Sequence, residues 1–265
     1  MNKIRFFQVD AFAEKQFKGN PAGVCVLYDD ISEESMQSIA EENNLSETAF
    51  LVKVKDGFNL RWFTPSVEVD LCGHATLASA HILWQEGVIK SDETIRFYTR
   101  SGTLTAAKVG DWIELDFPAS FEEDRALPPE ALSALNVKPV NVVFSKTRYL
   151  VELSSEEEVV ACRPDFNKLK DQEMIVITSK GGKSSKYDFV SRSFAPSHGI
   201  DEDPVTGSSH CCLTTYWSKR LGKTEMLAYQ ASTRGGEVKV KLAGDRVLFS
   251  GKAVTVVAGY FILND

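Results

Sequence analysis

A chain that carries one series of markers twice is constrained to fold as two copies of one unit, since each copy has the same apolar pattern to bury. Here Phe63-Thr64-Pro65 recurs as Phe194-Ala195-Pro196, 131 residues on. Thr99-Arg100-Ser101-Gly102 recurs as Thr233-Arg234-Gly235-Gly236, and Gly110-Asp111 as Gly244-Asp245, both at an offset of 134 that Ile113-Glu114-Leu115 and Val247-Leu248-Phe249 keep. Turn residues can coincide by chance, but a common order and a near-constant offset argue for duplication. The change in offset falls near two apolar helices that the markers bracket.

Those helices begin alike. Asp70-Leu71-Cys72-Gly73-His74-Ala75-Thr76 and Asp203-Pro204-Val205-Thr206-Gly207-Ser208-Ser209-His210 place small and polar residues where a loop turns into a helix, and apolar runs follow as far as Gly87 and Gly222. The unpaired N–H groups of a helix start carry partial positive charge, so each junction can hold a carboxylate or a developing anion. Duplication then predicts two lobes, each wrapping strands around one enclosed helix, with both helix starts facing a single site in the cleft between them. The 131-residue offset sets Asp203 opposite Cys72, give or take one residue.

The remaining elements follow from local signals. Residues 4–12 and 22–28 read as strands joined through the Gly19-Asn20-Pro21 turn, and Ser32 caps a short surface helix ending at Asn43-Asn44. Glu47 then stands at a helix-to-strand corner before the strand 48–54, and 58–63 and 94–99 are further strands. The helix from His74 to Glu86 is apolar on nearly every side, which predicts that other structure encloses it. The first lobe closes at Pro118, giving lobes of residues 1–118 and 119–265, with the final strand able to pack on the first lobe. Residues 119–138, with Pro128, Pro129 and several acids, read as the linker, and Gly181–Lys186 as an exposed, mobile hairpin loop.

Composition narrows the function. A net charge of −7 argues against a nucleic-acid partner. The five cysteines are too few and too scattered for a disulfide framework, which fits a reducing cytoplasm. The N-terminus has no apolar leader, and the uncharged runs are shorter than the roughly 18 residues of a membrane span, so a soluble cytoplasmic protein without a membrane partner is expected. No GxGxxG, GxxxxGK[ST] or GxSxG motif occurs, so the usual sequence evidence for a dinucleotide, a nucleoside triphosphate or a hydrolase elbow is missing. Cys72, His74, His210, Cys211 and Cys212 do not match the ligand spacings of structural zinc, and no metal site is expected.

What remains is a set suited to moving protons. Glu47 is either a general acid/base, its pKa raised by partial burial, or an ordinary loop carboxylate. His74 is either satisfied by a neighbouring backbone group or held neutral by the helix dipole, ready to relay a proton. Asp203 suits a helix cap and a proton-transfer group equally. Gly207-Ser208-Ser209 resembles an anion-binding turn, with Ser208 offering hydroxyl and amide to a substrate carboxylate.

Gly19-Asn20-Pro21-Ala22, Asn44-Leu45-Ser46-Glu47-Thr48-Ala49-Phe50, Leu71-Cys72-Gly73-His74-Ala75-Thr76 and Asp203-Pro204-Val205-Thr206-Gly207-Ser208, in that order and spacing, resemble the PhzF-like family of phenazine-biosynthesis isomerases and their relatives. The resemblance spans essentially the whole chain. It implies an α+β, diaminopimelate epimerase-like fold of two pseudo-symmetric lobes, each a barrel-like sheet around a central helix. It also implies Glu47 as acid/base with His74 and Asp203 assisting, Ser46, Gly73, Gly207 and Ser208 binding substrate, no cofactor, and a homodimer. The related epimerases use two cysteines, and no cysteine stands beside Asp203 to match Cys72. The expectation is therefore a cofactor-independent isomerase, by proton shift or epimerisation, of a small carboxylated or unsaturated metabolite. The alternative is a module of the same fold that binds small molecules or proteins without turnover.

Overall fold

The computed structural model describes residues 2–263, and its first element is the aromatic and β-branched run at the N-terminus, strand β1 (Asn2–Ala11). The chain returns through Gly19 into β2 (Asn20–Leu27), antiparallel to β1. Gly19 has φ +63°, and a Cβ there would lie 2.0 Å from the Ala11 carbonyl oxygen, so only glycine fits the reversal. Helix α1 (Glu33–Asn43) starts at Ser32, whose Oγ accepts from Ser35 N–H, and ends at Asn44 in the left-handed region. Its Met36, Ile39 and Ala40 are buried in one cluster with Cys25, Leu27, Phe50 and Phe63.

That helix is a crossover, which lets β3 (Glu47–Val54) lie parallel to β2. β4 (Gly57–Phe63) is antiparallel to β3, and the short β5 (Glu68–Val69) pairs back onto β4. Helix α2 (Gly73–Gln85) is the second crossover, after which β6 (Ile95–Thr99) runs parallel to β4. All of α2 from Gly73 to Ala80, with Ile82 and Leu83, is buried, and β1, β2 and β3 pack on it. β7 (Gly102–Val109) and β8 (Trp112–Pro118) complete the meander.

The second half repeats this order. Helix α3 (Pro129–Leu135) leads to β9 (Asn141–Ser145), which is antiparallel to β10 (Arg148–Glu152). Helix α4 (Glu156–Ala161) crosses to β11 (Met174–Lys180), parallel to β10, and β12 (Phe189–Ala195) is antiparallel to β11. β13 (Ile200–Asp203) pairs with β12, and the buried helix α5 (Gly207–Leu221) crosses to β14 (Glu225–Gln230), parallel to β12. β15 (Gly236–Ala243) and β16 (Arg246–Gly251) follow, and β17 (Ala253–Leu263) pairs along the whole of β1.

Strand for strand, β2 to β7 and β10 to β15 share one pairing pattern, with α2 and α5 in the same place. Contacts gather the chain into two compact units, one of Met1–Asp116 with Ser250–Asp265 and one of Phe117–Phe249. Three sequence expectations need correction. Cys72 and Thr206 are the N-cap residues of α2 and α5, so the 134-residue offset already holds at the helix starts. Cys72 therefore corresponds to Thr206, and Asp203, the last residue of β13, corresponds to Val69. The stretch 119–138 is not a linker: Pro128 and Pro129 stand where a helix start tolerates proline, and Ala131, Ala134 and Leu135 of α3 are buried in the core of the second unit. The Gly181–Lys186 turn is tied down by Gly182 N–H on Glu156 Oε2 and Gly181 N–H on the Asp188 carbonyl. Among the described residues no helix is long and apolar enough to cross a membrane.

Candidate active site

In the first unit the end of α1 decides where Glu47 stands. The left-handed Asn44 stops the helix, and the parallel register of β3 on β2 sets Glu47 beside Ala22. Asn43 Nδ2 donates to Thr48 Oγ1 at 3.1 Å and pins the corner. His74, the second residue of α2, is buried and reaches back to the same place. Its Nε2 lies 3.1 Å from Glu47 Oε2 and 3.3 Å from Ser46 Oγ, while its Nδ1 lies 3.5 Å from Cys72 Sγ. Ser46 Oγ is also within reach of Asn20 Oδ1 and the Pro21 carbonyl, at 3.5 and 3.4 Å.

The charges of this group differ from what helix-start and burial arguments predict. Burial alone raises the Glu47 pKa, but the charge of His74 and the polar groups of His74, Ser46 and Cys72 around it outweigh burial and hold the carboxyl below its ordinary 4.5. Burial likewise opposes a charge on His74, yet Cys72 and Glu47 together lift its pKa well above 6.5. The thiol of Cys72 is pushed up, by burial first and then by the Glu47 charge. Glu47 is thus held toward its anion and His74 toward its imidazolium, with Cys72 Sγ 3.5 Å from Nδ1. The expectations of a raised Glu47 and a neutral His74 fail because an ion pair in a shielded site dominates both the dipole and the desolvation.

Glu47 Oε2 is at ion-pair distance from Nε2 but out of line for a hydrogen bond, and this buried oxygen has no hydrogen-bond partner. It retains a lone pair for another donor. Donor atoms of Glu47, Cys72 and His74 all lie within 4.8 Å of one another, the residue types of a three-ligand metal site that spacing does not foretell. Cys72 Sγ lies nearest Nδ1 of the ring and Glu47 Oε2 nearest Nε2.

In the second unit Asp203, Thr206, Gly207 and Ser208 come together at the start of α5. Asp203 is not the helix cap: its Oδ2 accepts from Thr206 Oγ1 at 2.5 Å, which takes the hydroxyl away from the α5 amides. Buried Gln230 clamps the turn, donating to the Asp203 carbonyl at 2.7 Å and accepting from Thr206 N–H at 2.9 Å. Neither α2 nor α5 has a side-chain cap bond or an acidic residue in its first turn, so Gly73 and Gly207 both open helices with amides left for a ligand. His210 is structural. Its Nδ1 lies 2.9 Å from the Thr206 carbonyl, and burial, reinforced by Arg148, pushes its pKa down to about 4 against that bond. Cys211 and Cys212 are buried free thiols.

Three neighbours of these groups carry no local signal of a role: Asn20, Gln230 and Arg148, which donates to Ser208 and Ser209. The repeat does not point to Arg148 either: by the register of β2 on β3 and of β10 on β11 it corresponds to Ala22.

The phenazine biosynthesis-like protein family model, PhzC-PhzF, matches residues 9–259. An uncharacterised isomerase of Halalkalibacterium halodurans is 52% identical over 260 residues, covering 97% of this chain and 98% of that protein. The crystal structure of a PhzF family protein from Enterococcus faecalis superposes with a TM-score of 0.94 at 42% identity, covering 99% of this chain and all of that one. A hydroxyproline epimerase from Agrobacterium vitis shares the fold alone, with a TM-score of 0.63 at 10% identity over 99% of this chain and 93% of the other. The α+β architecture is thus diaminopimelate epimerase-like, and the chain belongs to the phenazine biosynthesis-like, PhzC/PhzF family.

Proposed function

We propose that the protein is a cofactor-independent isomerase that shifts a proton within a small carboxylated or unsaturated metabolite, with Glu47 as the acid/base. The observation that carries this reading is the buried Glu47 Oε2, anionic and without a hydrogen-bond partner, held in place by His74. Such an oxygen is ready to accept a proton from an acidic carbon.

In the first step a C–H bond next to the unsaturated or carboxylated group breaks, the proton passes to Glu47 Oε2, and the electron pair delocalises over the conjugated system. The amides at the start of α2, from Gly73, offset the developing negative charge. In the second step Glu47 returns the proton to the distal carbon. His74 steadies the carboxylate through both steps. A 1,3-shift is redox-neutral, so it calls for no electron carrier. A two-thiol epimerisation fits poorly, because Thr206 stands where a second cysteine would correspond to Cys72 and the Cys72 thiol is held neutral.

The test is solvent exchange. Cyclic carboxylates with α,β or β,γ double bonds, incubated with the protein in D₂O, should gain deuterium at the rearranged carbon by ¹H NMR, and Glu47→Gln should abolish it. Undiminished exchange in Glu47→Gln would sink the assignment. Ligand-induced thermal stabilisation with no exchange across the panel would favour a binding module instead.

A further inference from the structure

One marker of the repeat, Arg61-Trp62-Phe63 against Arg192-Ser193-Phe194, builds the same structure in both units. Strand residues i and i+2 share a face, so each guanidinium lies over the phenylalanine two residues on, 5.1 Å from the Phe63 ring centroid and 5.0 Å from that of Phe194. Opposite each phenylalanine the next strand brings a glutamate, Glu68 to Phe63 and Glu202 to Phe194. The arginine grips it side-on with the same two nitrogens. Arg61 Nε and Nη2 donate to Glu68 Oε1 and Oε2 at 2.7 and 2.6 Å, and Arg192 Nε and Nη2 donate to Glu202 Oε1 and Oε2 at 2.7 and 2.9 Å.

Each glutamate stands four residues before the N-cap of its unit's central helix, Cys72 of α2 and Thr206 of α5. The arginine also holds a third element. Arg61 Nη2 reaches Glu33 Oε2 in the first turn of α1 at 2.5 Å, and Arg192 Nη1 donates to the Val159 and Cys162 carbonyls at the end of α4 at 3.2 and 2.7 Å. Arg100 Nη2 adds a second hold on Glu68 Oε2 at 2.6 Å. Each fork thus ties the short strand that feeds the central helix to the neighbouring strand and to the preceding crossover helix. The arginines are 131 residues apart and the glutamates 134, so the three extra residues fall in the turn that the fork spans, and it closes all the same. The groups it precedes have diverged, Cys72 and His74 standing against Thr206 and Ser208. A grip kept where the chemistry has changed serves placement. An enclosed ion pair adds little net stability because both charges must be desolvated, but two parallel bonds fix a position closely.

We propose that Arg61 with Glu68, and Arg192 with Glu202, are positioning residues, a duplicated clamp that sets where the first turns of α2 and α5 stand and so holds His74 against Glu47 in one unit and Asp203 against Thr206 in the other. Its bearing on catalysis rests on the reading of Glu47 and His74 as the acid/base pair. The four residues themselves take no part in proton transfer.

The readout is local and needs no substrate. In the first unit it is the imidazole NMR signals of His74 and the hydrogen exchange of the Thr76 amide, which donates to the Cys72 carbonyl as the first bond of α2. In the second it is the side-chain amide signals of Gln230, which donates to the Asp203 carbonyl. Glu68→Gln should shift the His74 signals and speed Thr76 exchange about tenfold, as the loss of one hydrogen bond implies. Glu202→Gln should shift the Gln230 signals. Arg61→Lys and Arg192→Lys keep the charge but not the fork, and should move the same signals less. Arg5→Lys is the control: it loosens the Arg5–Glu86 pair at the far end of α2 and should leave His74 and Thr76 unchanged. Thermal unfolding shows which variants are folded, and if the glutamine variants are not, the lysine variants carry the test. Unchanged signals in the folded fork variants overturn the proposal, as does an equal change at His74 and Thr76 in Arg5→Lys. No turnover is read, so a failure of solvent exchange would count against the isomerase and leave the clamp standing.

Discussion

Glu47 has its pKa held down and His74 has its pKa held up, and both shifts set limits on pH. With Glu47 held below 4.5, its share of stability is present above that value and is lost as pH falls through the lowered folded pKa. With His74 raised well above 6.5, its share is complete below 6.5 and is lost as pH rises through the folded pKa. Proton exchange should therefore give a bell-shaped profile, with an acid limb below 4.5 and an alkaline limb above 6.5. An acid limb near neutral pH would mean that desolvation, not the ion pair, governs Glu47. Glu47→Gln should lower kcat by about 10²–10⁴-fold. It should also bring the His74 pKa down, measurable by NMR titration of the imidazole, because the main remaining influence is burial. Glu47 and His74 were legible as candidates because each sits at an element boundary that the chain itself announces. Their charges were not, since His74 lies 27 residues from Glu47 along the chain but 3.1 Å away in space.

Elements place the groups that residues alone do not explain. The two long helices begin without side-chain caps, whereas the surface helix α1 has an ordinary serine cap. Ser32→Ala should cost about 1 kcal/mol in urea unfolding and leave exchange untouched, as expected of a cap remote from the site. Gln230→Leu should behave differently. It removes the bonds that clamp Asp203 and Thr206, so it should destabilise by about 1–3 kcal/mol and lower turnover as well, a split that paired unfolding and exchange assays would show. The helices, most strands and the Gly19 reversal could be read from periodicity, caps and glycine. The helix within 119–138 could not, because prolines and acids that mark a loop also mark a helix start, and only the burial of Leu135 tells the two apart.

At the scale of the whole molecule, the repeat gives two units with one pairing pattern, but the last strand belongs to the first unit. β17 pairs with β1 from Asn2 to Ala11, so removing residues 252–263 should strip hydrogen-exchange protection from β1. The strands β10, β11 and β12 lie wholly in the other unit and should keep theirs. Equal loss in both would mean that the units unfold as one. The repeat also shows an asymmetry: β3 begins with Glu47 and the corresponding β11 with Met174, so the duplicated design carries a glutamate at one of these strand starts and not at both. By itself the sequence determined the duplication, the enclosed helices and the residues at their starts, because these depend on neighbours a few positions away and on a pattern repeated at a fixed offset. Only the tertiary structure decided which groups are charged, that Asp203 serves Thr206 instead of capping α5, and that Arg148 reaches Ser208, because electrostatics and hydrogen bonding follow distance through space.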